Sequence, residues 1–434
     1  MALTQQGGGR MAQRWGGFVG PAGVLLVVLL GVPLEVAAQD QLYRGLPIGL
    51  PDFPRRVRRT LPQLRPDQEI KVGVLKLHPS FESTVEYDDN ITLRDKDDLD
   101  DVVFTETPGL VGEVDLGDHR LEMGYGVELV EFVKHSEENA TNHLAHGQLD
   151  LNFTDFHVTV SDEMEEATGR LFNETSARDH IFLNTVQILG RYDRPMWALE
   201  GGWTHNTIDR LTDLFNNNDY GEDVLSVLGG YKISPRMLVL LQTDLGLVNY
   251  DHNTTNPDHD YWQLWTGVRG ELTSKVTSTL KLGFQDRQLS DIGGQGPQSD
   301  FDGLVADMEL VYTPSVTDLV RLAYQRTART STYASNAWYR QDQLSLTYRK
   351  RFADKWVLTP RFAWQLNDYP EESTSGGNTD RREDHFLIIG TALRYEMREW
   401  LSTGLAWNIR TRNSNLDSLD YENNRFTFDV TVAF

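Results

Sequence analysis

The sequence predicts an all-β fold, a transmembrane antiparallel β-barrel of about 18 strands of the bacterial outer-membrane type. Stretches of roughly ten to fifteen residues with alternating apolar and polar side chains recur from Val74 to the C-terminus. The connectors between these stretches are alternately short and long. The last stretch places one set of apolar side chains on a single face of an extended chain, namely Phe426, Phe428, Val430, Val432 and Phe434.

The first 38 residues are typical of a secretory signal peptide. Arg10 and Arg14 precede an apolar run that is followed by small residues ending at Ala38. Glycine and proline interrupt this run and it closes on Glu35, which favours a signal peptide over a transmembrane anchor. No later segment approaches the roughly 20 apolar residues that a spanning helix needs.

Residues 39–71 form a Pro-rich and Arg-rich segment, which we expect to be periplasmic. Its basic cluster consists of Arg55, Arg56, Arg58, Arg59 and Arg65, whereas the rest of the chain is acidic. A solvated linker is one interpretation, and a docking arm for a partner or an acidic polymer is the other. Residues 72–434 form the predicted barrel.

The composition limits the classes of function. The chain has 434 residues, a formal net charge of −23 and no cysteine. It therefore lacks disulfides, zinc thiolate sites and thiol nucleophiles, as suits an exported protein. The acidic body argues against nucleic acid as a partner.

The connectors give the strand count. The short ones lie at 117–118, 153–155, 193–195, 234–236, 273–275, 314–317, 353–355 and 397–399. The longer ones lie near 88–100, 135–142, 165–178, 209–219, 252–260, 288–300, 328–337, 367–384 and 411–422. They join 18 strands and leave both chain ends on the side of the short turns, so the first strand is expected to pair with the last. A soluble sandwich would have shorter strands, whereas a closed barrel satisfies every backbone polar group in lipid.

The polar face of the alternation predicts the side chains that line the pore. These are Glu113, Asp115, Glu122, Glu128, Glu200, Asp244, Arg269, Glu271, Lys281, Asp307, Glu309, Arg321, Arg361, Arg394, Arg410, Arg425 and Asp429. One wall is expected to be acidic and the other mixed, and such walls select solutes by the sign of their charge. The alternative for any single residue is that it only pairs with a neighbour and keeps the wall solvated.

Other candidate sites are weak. The acidic stretch Asp88–Asp101 could hold a hard cation, but it lacks the glycine turn and final glutamate of a calcium loop, so we interpret it as a solvated loop. His143 and His146 point to opposite sides of a strand. No hydrolase, zinc-protease or phosphate-loop motif occurs. We therefore expect no enzyme, no cofactor and no metal site.

The terminal residue Phe434, after apolar residues at alternate positions, resembles the C-terminal signal that the barrel-assembly machinery of Gram-negative bacteria reads. Residues 72–434 also resemble an outer-membrane β-barrel porin family associated with exopolysaccharide secretion. The resemblance rests on Tyr87-Asp88-Asp89-Asn90-Ile91 and on a closing run from Gly390 to Arg425 that contains Arg412-Asn413-Ser414-Asn415, Asp420-Tyr421 and Asn424-Arg425.

The resemblance implies an exit conduit for a secreted exopolysaccharide. The expected partners are outer-membrane lipid, the polysaccharide chain and periplasmic polysaccharide-export components. An alternative is a general or substrate-selective diffusion porin for small solutes, which predicts an inward-folded loop, with 367–384 as the candidate. A third hypothesis is a structural or adhesive barrel that acts through its outer loops.

Overall fold

The computed structural model describes residues 70–96, 98–170, 174, 176–212, 216–252, 256–290, 299–331 and 336–434. The predicted signal peptide, and all but the last two residues of the predicted periplasmic segment 39–71, lie outside the described residues. Among the described residues, no helix is both long and apolar enough to cross a bilayer.

The described chain forms one antiparallel sheet in which each strand pairs with the next. The strands are β1 (Ile70–Val72), β2 (Leu75–Asp88), β3 (Asp101–Leu116), β4 (His119–Phe132), β5 (Ala140–Asn152), β6 (Phe156–Gly169), β7 (Asp179–Asp193), β8 (Trp197–Arg210), β9 (Tyr220–Ser234), β10 (Met237–Tyr250), β11 (His259–Thr273), β12 (Val276–Leu289), β13 (Phe301–Ser315), β14 (Asp318–Thr330), β15 (Trp338–Phe352), β16 (Trp356–Ser375), β17 (Asn378–Arg398), β18 (Leu401–Ser414) and β19 (Tyr421–Ala433). Short 3₁₀ helices at Ser136–Glu138, Asn216–Asn218 and Asp417–Leu419 lie in the longer connectors.

The sheet closes because β19 pairs with β2, from Arg425 opposite Asp88 to Ala433 opposite Ser80. Strands β2 to β19 thus form an 18-stranded barrel, as predicted. The additional strand β1 pairs only with the first residues of β2. Closure leaves no long unpaired edge in the hydrocarbon region.

The two faces of the barrel differ as the alternation predicts. Large apolar side chains are exposed on the outer face, including Leu241, Leu304, Leu405 and Phe428, where they meet lipid. Aromatic pairs lie at the short-turn end, such as Tyr192 with Trp197 at 5.3 Å and Trp356 with Tyr395 at 4.6 Å between ring centroids. Amphipathic rings prefer this headgroup depth.

The connector predicted at 367–384 is wrong. Strands β16 and β17 continue to Ser375 and from Asn378, joined by a tight turn at Gly376 and Gly377 with φ of 59° and 86°. The polar composition of this segment suggested a loop. Above the membrane, however, the backbone hydrogen bonds of a hairpin hold without an apolar face, and only a register shift between Asp368 and Glu372 interrupts them.

Candidate permeation pathway

The strand register fixes which side chains share a face, because residues directly opposite each other on paired strands point to the same side. Glu113 lies opposite Glu122, and the pairing can be followed strand by strand to Arg425, which lies opposite Asp88. All seventeen side chains predicted to line the pore fall on this one face, opposite the face that carries Leu405 and Phe428. Their contact with a permeating solute stays a prediction.

Many of the predicted lining residues form ion pairs with other charged residues on the same face. Arg120 donates to Glu113 and Glu122 at 2.7 and 2.6 Å, and Lys281 lies 2.9 Å from Asp307. The further contacts are Lys76 with Asp115 at 2.7 Å, Arg269 with Glu200 at 3.2 Å, Arg321 with Glu309 at 2.8 Å, Arg394 with Asp429 at 3.4 Å and Arg425 with Asp88 at 3.0 Å. These pairs keep both walls solvated and also fix the positions of the charges.

The remaining members of the predicted set make polar or ring contacts. Asp244 accepts a hydrogen bond from Trp265 Nε1 at 2.9 Å, and Arg361 donates to Asn408 at 3.0 Å. Other contacts are Glu271 with Arg236 at 2.7 Å and Arg410 with the Phe386 and Tyr421 rings at 5.7 and 5.6 Å. Glu128 is buried on the wall formed by β4.

Sequence reasoning missed several basic residues on the same face. They are Arg329, Arg349, Arg351, Arg382 and Arg412. Most lie near the ends of their strands, where the apolar residues that reveal the alternation run out. Extending the period of two beyond the apolar stretch would have found most of them.

The described lumen face is electrostatically polarised. Strands β2 to β10 contribute mostly carboxylates, whereas β14 to β18 contribute mostly arginines. The arginines of that wall are Arg321, Arg329, Arg349, Arg351, Arg361, Arg382, Arg394, Arg410 and Arg412. The predicted mixed wall is therefore basic over five consecutive strands. Walls of opposite sign facing each other across a barrel produce a transverse field.

The connector between β6 and β7 reaches the opposite wall. Glu174 is 3% exposed, and its Oε1 accepts a hydrogen bond from Ser331 at 2.6 Å. Its backbone carbonyl accepts a bond from Arg382 Nη2 at 2.8 Å. Since Ser331 follows β14 and Arg382 belongs to β17, Glu174 lies against the wall opposite β6 and β7 at the extracellular end of the lumen.

A second connector, between β2 and β3, meets the first one. The hydroxyl of Ser176 donates to the carbonyl of Leu93 at 2.6 Å, and Arg412 Nη2 lies 3.4 Å from the same hydroxyl. Leu93 is buried and adopts a left-handed φ of 52°, a strained conformation for a leucine. We name the described residues of the two connectors, 91–94, 174 and 176, the inward segment. The candidate 367–384 for an inward loop is therefore wrong, because that hairpin extends the wall.

The acidic stretch 88–101 is only partly a solvated loop. Asp88 is buried, accepts a hydrogen bond from Asn423 Nδ2 at 2.5 Å and lies beside Arg425. Asp101 is fully buried and accepts backbone N–H bonds from the β4–β5 connector. Among the described residues, no three His, Asp or Glu side chains converge to hold a metal ion.

The chain is similar to known porins. Residues 67–434 match the family described as "Putative beta-barrel porin 2". No curated protein shows significant sequence similarity to the chain.

Solved barrels resemble its structure. The outer membrane protein OpdK of Pseudomonas aeruginosa is 10% identical, with a TM-score of 0.46 over 83% of this chain and 99% of that one. OccAB3 of Acinetobacter baumannii is 11% identical, with a TM-score of 0.44 over 84% and 100%. A BenF-like porin from Pseudomonas fluorescens Pf-5 is 10% identical, with a TM-score of 0.46 over 84% and 100%. At these scores the likenesses carry no inference about solutes.

The family match covers the whole barrel and agrees with its lipid-facing outer surface and polar interior. Fold and family point to a channel of the outer membrane rather than to an enzyme. The chain is a member of the beta-barrel porin 2 family.

Proposed function

We propose that the barrel is a substrate-selective diffusion porin for small polar solutes. The observation that carries this proposal is the inward segment, which is bonded to the opposite wall through Glu174 and Arg382. Eighteen strands spaced about 4.8 Å apart and tilted by about 40° give a backbone diameter of about 35 Å. A segment bonded across such a mouth narrows the passage to openings suited to small solutes.

The polarised walls supply the selectivity. Arginines on β14 to β18 face the carboxylates of β2 to β10, and both sets are held in place by neighbouring side chains. A solute that carries charge is attracted to one wall and repelled by the other. The porin therefore favours solutes that present opposite charges at their two ends, or a single charge that follows one wall.

The exit conduit for exopolysaccharide is the second candidate, and it rests on the sequence resemblance. The residues that carry this resemblance meet at the barrel seam, where Asn90 Nδ2 donates to the Glu422 carbonyl at 2.8 Å and Asn424 Nδ2 to Asp89 at 2.9 Å. They have a structural task at this position, namely joining β2 to β19. Their presence therefore supports the shared fold more strongly than polysaccharide export.

A disulfide lock separates the two candidates. The chain has no cysteine, so Glu174→Cys with Ser331→Cys tethers the inward segment to the wall that it already contacts. We expect the oxidised double variant to keep the single-channel conductance of the reduced protein in planar bilayers, and each single variant serves as a control. This result is expected if the inward segment narrows the channel permanently, as in a porin.

The opposite result favours the conduit. If oxidation abolishes the single-channel conductance, the inward segment has to move aside before ions can pass. The same movement would be needed for a polymer. A deletion strain that synthesises polysaccharide but fails to secrete it would also overturn the porin proposal.

A further inference from the structure

The outer face of β6 carries a carboxylate at the depth of the lipid chains. Asp162 lies opposite Gly147 and Val186 on the neighbouring strands, and the alternation along β6 places its side chain on the same outer face as Phe156. It follows Phe156, the first residue of β6, by six residues. On a strand tilted by about 40° this distance is a rise of about 15 Å, within an apolar band about 25 Å tall. Asp162 therefore lies near the middle of the band.

The charge of Asp162 has no opposite charge beside it among the described residues. Its Oδ1 accepts a hydrogen bond from Asn184 Nδ2 at 2.5 Å, and an amide is neutral. The outward carboxylate of Asp342 on β15, by contrast, pairs with Arg326 at 2.6 Å. A charged side chain on the lipid face of a barrel costs free energy. Lipid alone is therefore a poor environment for this part of the wall.

The outer wall formed by β16 to β19 is different. Its middle positions hold the exposed apolar residues Phe362, Ile389, Leu405 and Phe428. Around Asp162 the outer face instead contains glycines, at position 147 on β5, 190 on β7 and 201 on β8. Because glycine has no side chain, another backbone can approach closely at these positions. The surface around Asp162 thus suits contact with protein better than contact with lipid chains.

Two pairs across β6 and β7 have the same arrangement. In each pair the acid belongs to β6 and its hydrogen-bonding partner to β7. Asp162 pairs with Asn184, and Glu166 Oε1 lies 2.9 Å from His180 Nε2. A two-fold axis that runs along the membrane normal between these strands places β6 of each copy against β7 of the other at equal depth. Each acid then faces the amide or imidazole of the other copy as well as its own, so the surface is complementary to itself.

We propose that the outer faces of β6 and β7 form the contact between two copies of this chain, related by a two-fold axis along the membrane normal. Asp162 of one copy lies against the partner's Asn184, and Glu166 lies against the partner's His180. The contact replaces lipid around each carboxylate by groups that can donate hydrogen bonds, which lowers the cost of the charge. The proposal does not depend on the solute that the channel carries.

Cysteine cross-linking in the outer membrane tests the contact. The chain has no cysteine, so a single introduced cysteine reports contacts between copies. Ile188→Cys places a thiol on the outer face of β7 near the proposed axis, and Leu405→Cys places one on the outer face of β18. Both positions are exposed and lie in the periplasmic half of their strands.

We expect a short bismaleimide to link Ile188→Cys into a dimer and to leave Leu405→Cys monomeric. Equal linking of the two variants would overturn the proposal. Linking of Ile188→Cys only to a different protein, or the absence of any link, would overturn it as well.

Asp162→Leu tests the role of the carboxylate. We expect this variant to weaken dimerisation about tenfold or more in native mass spectrometry of the purified barrel, with an unchanged heat-modifiable mobility that shows a folded barrel. Thr243→Leu replaces a polar residue at a matching depth on the outer face of β10 and should leave the dimer intact.

A carboxylate that simply faces lipid leads to other results. The wild type would then be monomeric, or Asp162→Leu would dimerise as well as the wild type, and either result would overturn the proposal. If Asp162→Leu does not fold, cross-linking of Ile188→Cys decides.

Discussion

At the residue scale, the side chains that hold the loops are those that the sequence presents as ordinary surface charge. Asp88 and Asp101 stand at the two ends of an acidic stretch, yet both are buried and fully used in hydrogen bonds. The partner of Asp88, Asn423, lies 335 residues along the chain. A period of two predicts which face a side chain occupies, but it contains no information about partners that meet only when the barrel closes.

Asp101 is the first test of this assignment. Its carboxylate accepts backbone N–H bonds from Val102 at 2.7 Å, Lys134 at 3.0 Å and His135 at 2.9 Å. We expect Asp101→Ala to leave these donors unsatisfied and to destabilise the β4–β5 connector by about 2–3 kcal/mol. Hydrogen exchange of residues 133–139 measures the change.

The neighbouring Asp100 provides the control for this experiment. Its side chain is about half exposed and, among the described residues, pairs with the exposed Lys134 side chain, so Asp100→Ala should have little effect. Equal exchange rates in the two variants would show that Asp101 does not hold the connector.

At the element scale, strands were predictable and connectors were not. The apolar positions of strands such as β16 and β18 recur with period two over the whole membrane-spanning length, and this signal predicted their number and their outward faces. The same signal fails in the extracellular part of β16 and β17, where backbone pairing needs no apolar face. The alternation also contains no information about the path of a connector, so the inward segment at Glu174 could not be predicted from it.

The stability of the β8–β9 connector is expected to depend on pH. The Arg210 N–H donates to Asp219 Oδ1 at 2.6 Å. Burial raises the pKa of the Asp219 carboxyl to about 6, and nearby Asp209 and Asp251 contribute to the rise. The ordered connector thus binds a proton more readily than the opened one. The contribution that protonation of Asp219 makes to the stability of the connector is therefore present below about pH 4 and is lost as pH rises to about 6.

We therefore expect the Arg210 amide to be better protected from hydrogen exchange at pH 4.5 than at pH 7, after correction for intrinsic rates. Asp219→Asn keeps an acceptor oxygen but removes the titration of this carboxyl, so the protection of the Arg210 amide should depend less on pH than in the wild type. Asp300→Asn alters an exposed carboxylate that accepts the Leu289 N–H in another connector and should behave as wild type. Protection that increases with pH in the wild type would contradict the assignment.

At the scale of the whole molecule, closure joins residues that stand at the two ends of the barrel sequence. The final strand β19 pairs with β2 over nine residue pairs, from Arg425 to Ala433. The predicted assembly signal Phe434 lies at the end of this seam, where its ring stacks on Trp400 at 5.5 Å. The count of short and long connectors, which leaves both chain ends on the side of the short turns, was sufficient to predict that the last strand pairs with the first. Its reading by assembly machinery stays a prediction.

The Phe434→Ala variant distinguishes recognition of the terminal residue during assembly from its contribution to the stability of the folded barrel. The backbone bond from residue 434 to the Pro79 carbonyl persists in this variant, and the lost ring pair is worth only about 0.5–1.5 kcal/mol. If Phe434 is read during assembly, the amount of folded barrel in cells should fall at least tenfold, measured by heat-modifiable electrophoretic mobility. Barrel refolded in detergent should lose little stability in urea. Phe362→Ala, which removes an exposed ring from the outer face of β16 and lies outside the C-terminal pattern, should reach near wild-type levels in cells. Normal cellular levels of Phe434→Ala would show that the terminal ring is not an assembly signal.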